Sequence, residues 1–189
     1  MVKSKSKKVE IVFVLDMTGS MQPLAVETVI GFNNFLDEQK KVSGKANITL
    51  ITFNSDETKK VLDKVDLTKV ESINHSDYRP DGLTPLLDTI GNAIEEFKTV
   101  KNKVIFAIMT DGEENFSHKY DRKQIFDLVT EQKDKHKWEF IFLGANQDSY
   151  LEAGRLGIDG KDTANFNFSA VGSRAAYSSL SHSVTSYRK

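Results

Sequence analysis

The chain has 189 residues, of which 39% are hydrophobic and 28% are charged, so it is long enough to bury one sizeable core. Its net charge of −1 argues against a whole-chain attraction to nucleic acid or to an anionic membrane. Cysteine is absent, which excludes disulfides, thiolate metal sites and a cysteine nucleophile.

Residues 1–8 are basic, and the apolar run that follows them ends at Asp16. A run of about six residues is too short for the apolar core of a signal peptide or for a membrane span. We therefore expect a solvated N-terminal tail over 1–8, a single domain over 9–168 and a soluble, cytoplasmic protein. The serine-rich residues 169–189 are expected to form either a docked C-terminal helix or a partly disordered tail.

Strand and helix signals alternate along the chain, with proline at the start of two of the predicted helices. The predicted elements are, in order, strand 11–15, a helix from Pro23 to about Asp37, hairpin strands 48–53 and 58–67, a helix from Pro85 to Phe97, strand 104–109, helix 121–135, strand 138–143, helix 149–155 and strand 165–168. This alternation predicts a doubly wound, Rossmann-like α/β fold with a mostly parallel sheet, helices on both faces and one antiparallel edge strand.

Polar residues in three loops of this pattern are expected to lie at one edge of the sheet. Asp16-Met17-Thr18-Gly19-Ser20 comes directly after the first strand, Thr84 follows Asp81-Gly82-Leu83, and Asp111 follows strand 104–109. All of these donors are oxygens, which suit hard cations such as Mg²⁺, Mn²⁺ or Ca²⁺. Loops at the carboxyl ends of parallel strands lie at one edge of the sheet, so the sequence predicts a metal site there.

In these motifs the chain resembles the von Willebrand factor A-type family. The metal ion-dependent adhesion site of that family combines Asp-x-Ser-x-Ser with a separate threonine and a separate aspartate. The resemblance extends from about Val9 to at least Phe168, with the elements in the expected order. One departure is Thr18, which stands where the commonest pattern of the family has serine; it keeps the hydroxyl and adds a methyl group.

The resemblance implies a role for each motif residue. Thr18, Ser20 and Thr84 would offer hydroxyl oxygens to one divalent cation, with Mg²⁺ expected first and Mn²⁺ or Ca²⁺ as alternatives. Asp16 and Asp111 would complete the site directly or through water. If both aspartates act through water, the neutral hydroxyls neutralise little of the cation's charge, so an open position can take an external carboxylate.

The resulting hypothesis is a non-catalytic module that captures a Glu or Asp side chain of a partner protein. Met21, Leu83 and Asn146 would surround the cation and provide specificity. No nucleic acid or membrane partner is expected, and the oligomeric state is left open.

Structural explanations compete with each of these interpretations. Asp16 and Ser20 could simply satisfy loop amides, Thr84 could be an ordinary helix N-cap, and Asp111 could belong to a turn. Two neighbouring glutamates are interpreted as a solvated acidic face rather than as ligands, namely Glu113 and Glu114. The four histidines lack a paired spacing and are assigned surface or structural roles.

Enzymatic alternatives find less support. A dehalogenase-like phosphatase needs an acid two residues after Asp16, where Thr18 stands, and the acidic pair of a phospho-acceptor receiver domain is missing. Phosphate-binding loop, nucleophile-elbow and dinucleotide motifs are absent from the sequence. Two alternatives remain open: a metal-dependent phosphoester hydrolase with Glu113, Glu114 or His118 as its base, and an assembly subunit with a vestigial site.

Overall fold

The computed structural model describes residues 8–145 and 148–189. Most of the predicted basic tail therefore lies outside the described residues. These residues form a six-stranded sheet in which β3 pairs antiparallel with β2 and all other neighbours pair in parallel, in the order β3-β2-β1-β4-β5-β6. The strands are β1 (Val9–Asp16), β2 (Ala46–Phe53), β3 (Thr58–Asp66), β4 (Lys103–Thr110), β5 (Glu139–Ala145) and β6 (Thr163–Phe166).

Helices cover both faces of the sheet, which confirms the predicted doubly wound α/β class. Successive residues of a strand point to opposite faces, so Phe13 and Leu15 pack on one side of β1 while Val12 and Val14 pack on the other. The first side is covered by α1 and α5, and the second by α2, α3 and α4. The helices are α1 (Ala25–Lys41), α2 (Leu86–Phe97), α3 (Arg122–His136), α4 (Ser149–Arg155) and α5 (Ala170–Arg188).

The first helical segment differs from its prediction. A short 3₁₀ helix, Gly19–Leu24, contains Pro23, and α1 begins only at Ala25. Val26 and Ile30 follow the apolar period but are 54% and 47% exposed, because they lie on the solvent side of α1. The last strand also begins two residues earlier than predicted.

The C-terminal helix α5 packs closely against α1. A Cβ atom on Gly31 would lie 2.2 Å from the ring of Tyr177, so glycine is needed for this approach. Arg188 donates hydrogen bonds to the main-chain oxygens of Gln39 and Val42, at the end of α1. Of the helices in the described part of the chain, none is long and apolar enough to cross a membrane.

The order of the strands determines where a ligand can bind. The chain moves from β1 to β2 on one side and later enters β4 on the other side of β1, so the winding direction changes between β1 and β4. Open α/β sheets bind ligands at the carboxyl ends of the strands that flank such a point. Asp16 ends β1 and Asp111 directly follows β4, which puts both carboxylates at this edge.

Candidate metal centre

The first loop is fixed by the side chain at the end of β1. Asp16 is fully buried; its Oδ1 accepts a hydrogen bond from the Thr18 amide (2.8 Å) and its Oδ2 accepts one from the Thr110 hydroxyl (2.6 Å). The Tyr78 hydroxyl donates to the main-chain oxygen of Asp16 (2.5 Å). The carboxylate therefore has one orientation, and the loop starts from a rigid base.

A chain of oxygen atoms links this loop to the end of β4. Thr18 Oγ1 lies 3.2 Å from Ser20 Oγ, and the Ser20 hydroxyl donates to Asp111 Oδ1 at 2.7 Å. The Gly19 amide donates to the main-chain oxygen of Gly82 (3.0 Å), which joins the first loop to the one that precedes Thr84. Three segments that are distant in sequence thus meet at one place.

Thr84 completes the group. A Cβ atom built on Gly112 would lie 3.5 Å from Thr84 Oγ1 and 3.6 Å from Ser20 Oγ, so the two hydroxyls approach the same point. Thr84 is 3% exposed, and its hydroxyl forms no hydrogen bond with another described residue. The N-cap of α2 is Pro85, not Thr84, so the simple capping interpretation of Thr84 does not hold. All five predicted residues lie together.

The charges of this group are uncompensated within the described chain. Burial raises the pKa of Asp16 to about 6, with a smaller contribution from the nearby Asp111 charge. Burial also raises the pKa of Asp111, whose Oδ2 is buried without a hydrogen-bond partner. Neither carboxylate forms an ion pair with another described residue. A divalent cation fits this set, because it would supply both the missing charge and the missing partner.

Hydroxyl groups are essential to any such site. The described residues contain no cluster of three or more His, Cys, Asp and Glu side chains that could hold a metal. A cation bound here would depend on Thr18, Ser20 and Thr84 as well as on the two carboxylates. This donor set, made entirely of oxygens, is the kind that hard cations take.

The residues predicted to surround the cation differ in their positions. The prediction that Met21 surrounds the cation is wrong, since its side chain is fully buried in the core beneath α1. Leu83 is 48% exposed beside Thr84, with its amide donating to Ser55 Oγ. Asn146 lies outside the described residues.

The segment after Asp111 carries contacts that the sequence did not reveal. Glu113 is exposed, but Glu114 is not the freely solvated side chain that was predicted. Its carboxylate accepts hydrogen bonds from the amides of Leu87, Phe116 and Ser117. Helix α2 and this segment are far apart in sequence, so no local pattern signals that they meet.

The fold and the site together define the class of protein: an α/β domain with oxygen donors from three loops at the point where the winding direction changes. The profile of the von Willebrand factor type A domain matches residues 10–178, and the chain belongs to that family. The family prediction is thereby confirmed. A comparison with curated protein sequences finds no match.

Solved structures share the fold. Proximal thread matrix protein 1 from the mussel byssus aligns with 98% of this chain at 16% identity and a TM-score of 0.69, the aligned part being 47% of that protein. The pilus adhesin SpaC from Lactobacillus rhamnosus GG aligns with 97% of the chain at 18% identity and a TM-score of 0.72, over 31% of its own length. Manganese-loaded TRAP protein from Plasmodium vivax aligns with 92% of the chain at 14% identity and a TM-score of 0.58, over 73% of its own length. The chain thus spans about half of the mussel protein and about a third of the adhesin.

Proposed function

We propose that this domain is a protein-binding module in which a divalent cation captures a Glu or Asp side chain of a partner. Mg²⁺ is the cation expected first. Asp16, Thr18, Ser20, Thr84 and Asp111 would hold the cation. The observation that carries the proposal is the meeting of three loops around a buried aspartate oxygen, Asp111 Oδ2, that has no partner. When bound, the cation would act as a Lewis acid for the incoming carboxylate.

The surroundings of the group support an anionic, partly apolar ligand. Helix α2 begins at Leu86, two residues after Thr84, and the positive end of a helix dipole favours negative charge near its start. Ser20 and Leu83 are exposed, so a partner can reach the site and contact an apolar side chain next to it. Two proteins that share the fold support the proposal: one is a pilus adhesin, and the other is loaded with manganese.

The side chains that could act as the base of a hydrolase give this alternative little support. Glu114 already accepts hydrogen bonds from three amides and from the Ser117 hydroxyl. His118 packs edge-on against Phe116 and lines a cleft of about 280 Å³ together with Asp56 and other residues of the β2–β3 turn. Glu113 is exposed, and none of the side-chain hydrogen bonds of the described residues involves it, so nothing orients its carboxylate.

Calorimetric titration of the chelator-stripped protein with Mg²⁺, Mn²⁺ and Ca²⁺ tests the metal site. Thr84→Ala and Asp111→Asn are expected to weaken binding at least about tenfold, since each removes an oxygen donor that the cation needs. Asp134→Asn is the matched control, because Asp134 is exposed in the last turn of α3, at the opposite edge of the sheet. Folded wild-type protein that binds none of the three cations would contradict the proposal and favour a vestigial site.

Partner capture is tested separately with a peptide array. Peptides that contain Glu or Asp, and matched peptides with Gln or Asn, are incubated with labelled protein in Mg²⁺ and in chelator. Retention is expected only for the acidic peptides in Mg²⁺. Equal retention of the amide peptides would show that no carboxylate is being recognised.

A further inference from the structure

We infer that Asn115 is a positioning residue for the proposed metal site: it holds the main chain of Thr84 so that the threonine hydroxyl stays next to Gly112 and Ser20. This inference rests on the proposed function. It assigns a role to a residue that offers nothing to the cation itself, and it explains how a ligand from an irregular loop is kept in place.

Asn115 binds Thr84 on both sides of its Cα atom. The main-chain N–H of Thr84 donates to the side-chain oxygen Asn115 Oδ1 at 2.8 Å. The main-chain N–H of Asn115 donates to the main-chain oxygen of Thr84 at 3.2 Å. The peptide groups before and after the Thr84 Cα atom are therefore both fixed by the same residue. Fixing both groups also fixes the direction of the Cα–Cβ bond, and hence the position from which Oγ1 approaches the site.

The loop before Thr84 needs such support. It contains Gly82 in a left-handed conformation (φ +74°), and no helix or strand is present between β3 and α2. The Leu83 amide donates to Ser55 Oγ at 3.0 Å and the Gly82 oxygen accepts from the Gly19 amide at 3.0 Å. The hydrogen bonds to the main chain of Thr84 itself, in contrast, come from Asn115. The Thr84 amide has no other acceptor among the described residues, so removal of the Asn115 side chain would release it.

Asn115 is exposed, but its neighbours attach its segment to α2. Glu114 Oε2 accepts from the Leu87 amide at 2.8 Å, and Ser117 Oγ accepts from the Asp88 amide at 3.0 Å. Both amides lie in the first turn of α2, where no intrahelical acceptor exists. The segment that follows Asp111 is thus attached to the start of α2, and Asn115 transmits this rigidity to Thr84.

Two measurements test the inference, one of them without metal. In chelated protein, amide hydrogen exchange followed by NMR is expected to be faster at Thr84 in Asn115→Ala than in wild type. The Thr18 amide, which donates to Asp16 Oδ1, is an internal control that is expected to keep its exchange rate. In Mn²⁺ titrations, Asn115→Ala is expected to weaken binding about 10- to 100-fold, as is typical of residues that orient metal ligands.

Two further variants separate positioning from a general structural role. Asn115→Asp keeps the acceptor for the Thr84 amide and is expected to retain Mn²⁺ binding. In a Thr84→Ala background, Asn115→Ala is expected to cause no additional loss, because the hydroxyl that it positions is already absent. Additive losses in the double variant, or unchanged exchange at Thr84, would overturn the inference. Absence of Mn²⁺ binding in the wild type would instead overturn the metal site, and the exchange experiment would still test the Asn115–Thr84 contact.

Discussion

Asp16 illustrates, at the scale of one residue, how a buried carboxylate costs stability. Its side chain is fully buried at the end of β1, and burial raises its pKa from 3.8 to about 6. The folded state therefore holds a proton on this carboxyl more tightly than the unfolded state does. In metal-free protein its stabilising contribution is complete below pH 4 and is lost as the pH rises through about 6.

The substitution Asp16→Asn tests this cost. Asparagine can still accept from the Thr18 amide, and its amide group can donate to the Thr110 hydroxyl. The free energy of unfolding of chelated protein is expected to rise by about 1–3 kcal/mol at pH 7.5 and to change little at pH 4. Urea denaturation at both pH values measures the difference, with Asp134→Asn as the matched control. The same gain at both pH values would show that titration of Asp16 is not its cause.

The gain in stability should be accompanied by a loss of metal binding. A saturating divalent cation is expected to stabilise the wild type by about 2.7 kcal/mol at 100 times its Kd. Asp16→Asn is expected to lose most of this increment, because a neutral amide compensates less of the cation's charge. The charged form of Asp16, which is unfavourable in the metal-free fold, is thus the form that the proposed function needs.

At the scale of elements, helix α2 depends on a segment that is distant in sequence. Its N-cap, Pro85, provides no side-chain acceptor, and Glu114 and Ser117 accept from the amides of its first turn instead. A carboxylate at this place also interacts favourably with the helix dipole. The two segments that carry Thr84 and Asp111 are therefore stabilised by the same contacts.

The substitution Glu114→Ala tests whether Glu114 caps the start of α2. It removes the acceptor of three amides and one hydroxyl, and the free energy of unfolding is expected to fall by about 1–3 kcal/mol. Glu113→Ala is a closely matched control, because that side chain is exposed, and its effect is expected to stay within about 0.5 kcal/mol. Both variants are compared by urea denaturation in chelator. Equal losses would indicate that only the net charge of the loop matters.

The same elements show which features the sequence could predict. Uninterrupted apolar strands such as β4 predicted the sheet, and the polar loops pointed to five residues that the structure brings together, because both signals are local. The contacts of Asn115, Glu114 and Tyr78 could not be predicted, since each joins segments that only tertiary packing brings together. Met21 was misjudged for a similar reason: in a 3₁₀ helix its side chain turns toward the core instead of toward the carboxyl edge of the sheet.

At the scale of the whole molecule, a parallel sheet is stable only when both of its faces are covered. On one face this cover is shared by α1 and α5. Helix α5 contributes Ala176, Tyr177, Leu180 and Val184 to the same cluster as the buried side chains of β1 and α1, such as Phe13 and Phe32. We therefore propose that the folded unit includes α5 and does not end near Phe168.

Leu180→Ala tests whether α5 is an integral part of that unit. Leu180 is fully buried between α5 and the sheet, so truncating it leaves a cavity, and the free energy of unfolding is expected to fall by about 2–5 kcal/mol. His182→Ala, at an exposed position of the same helix, is expected to change it by at most about 0.5 kcal/mol. Unfolding is followed both by the fluorescence of Trp138 and by far-ultraviolet circular dichroism. If both probes show one cooperative transition with the same decrease in the free energy of unfolding, α5 unfolds together with the sheet. Trp138 is buried on the opposite face, so a Leu180→Ala transition visible by circular dichroism but not by fluorescence would instead identify α5 as a separately unfolding segment.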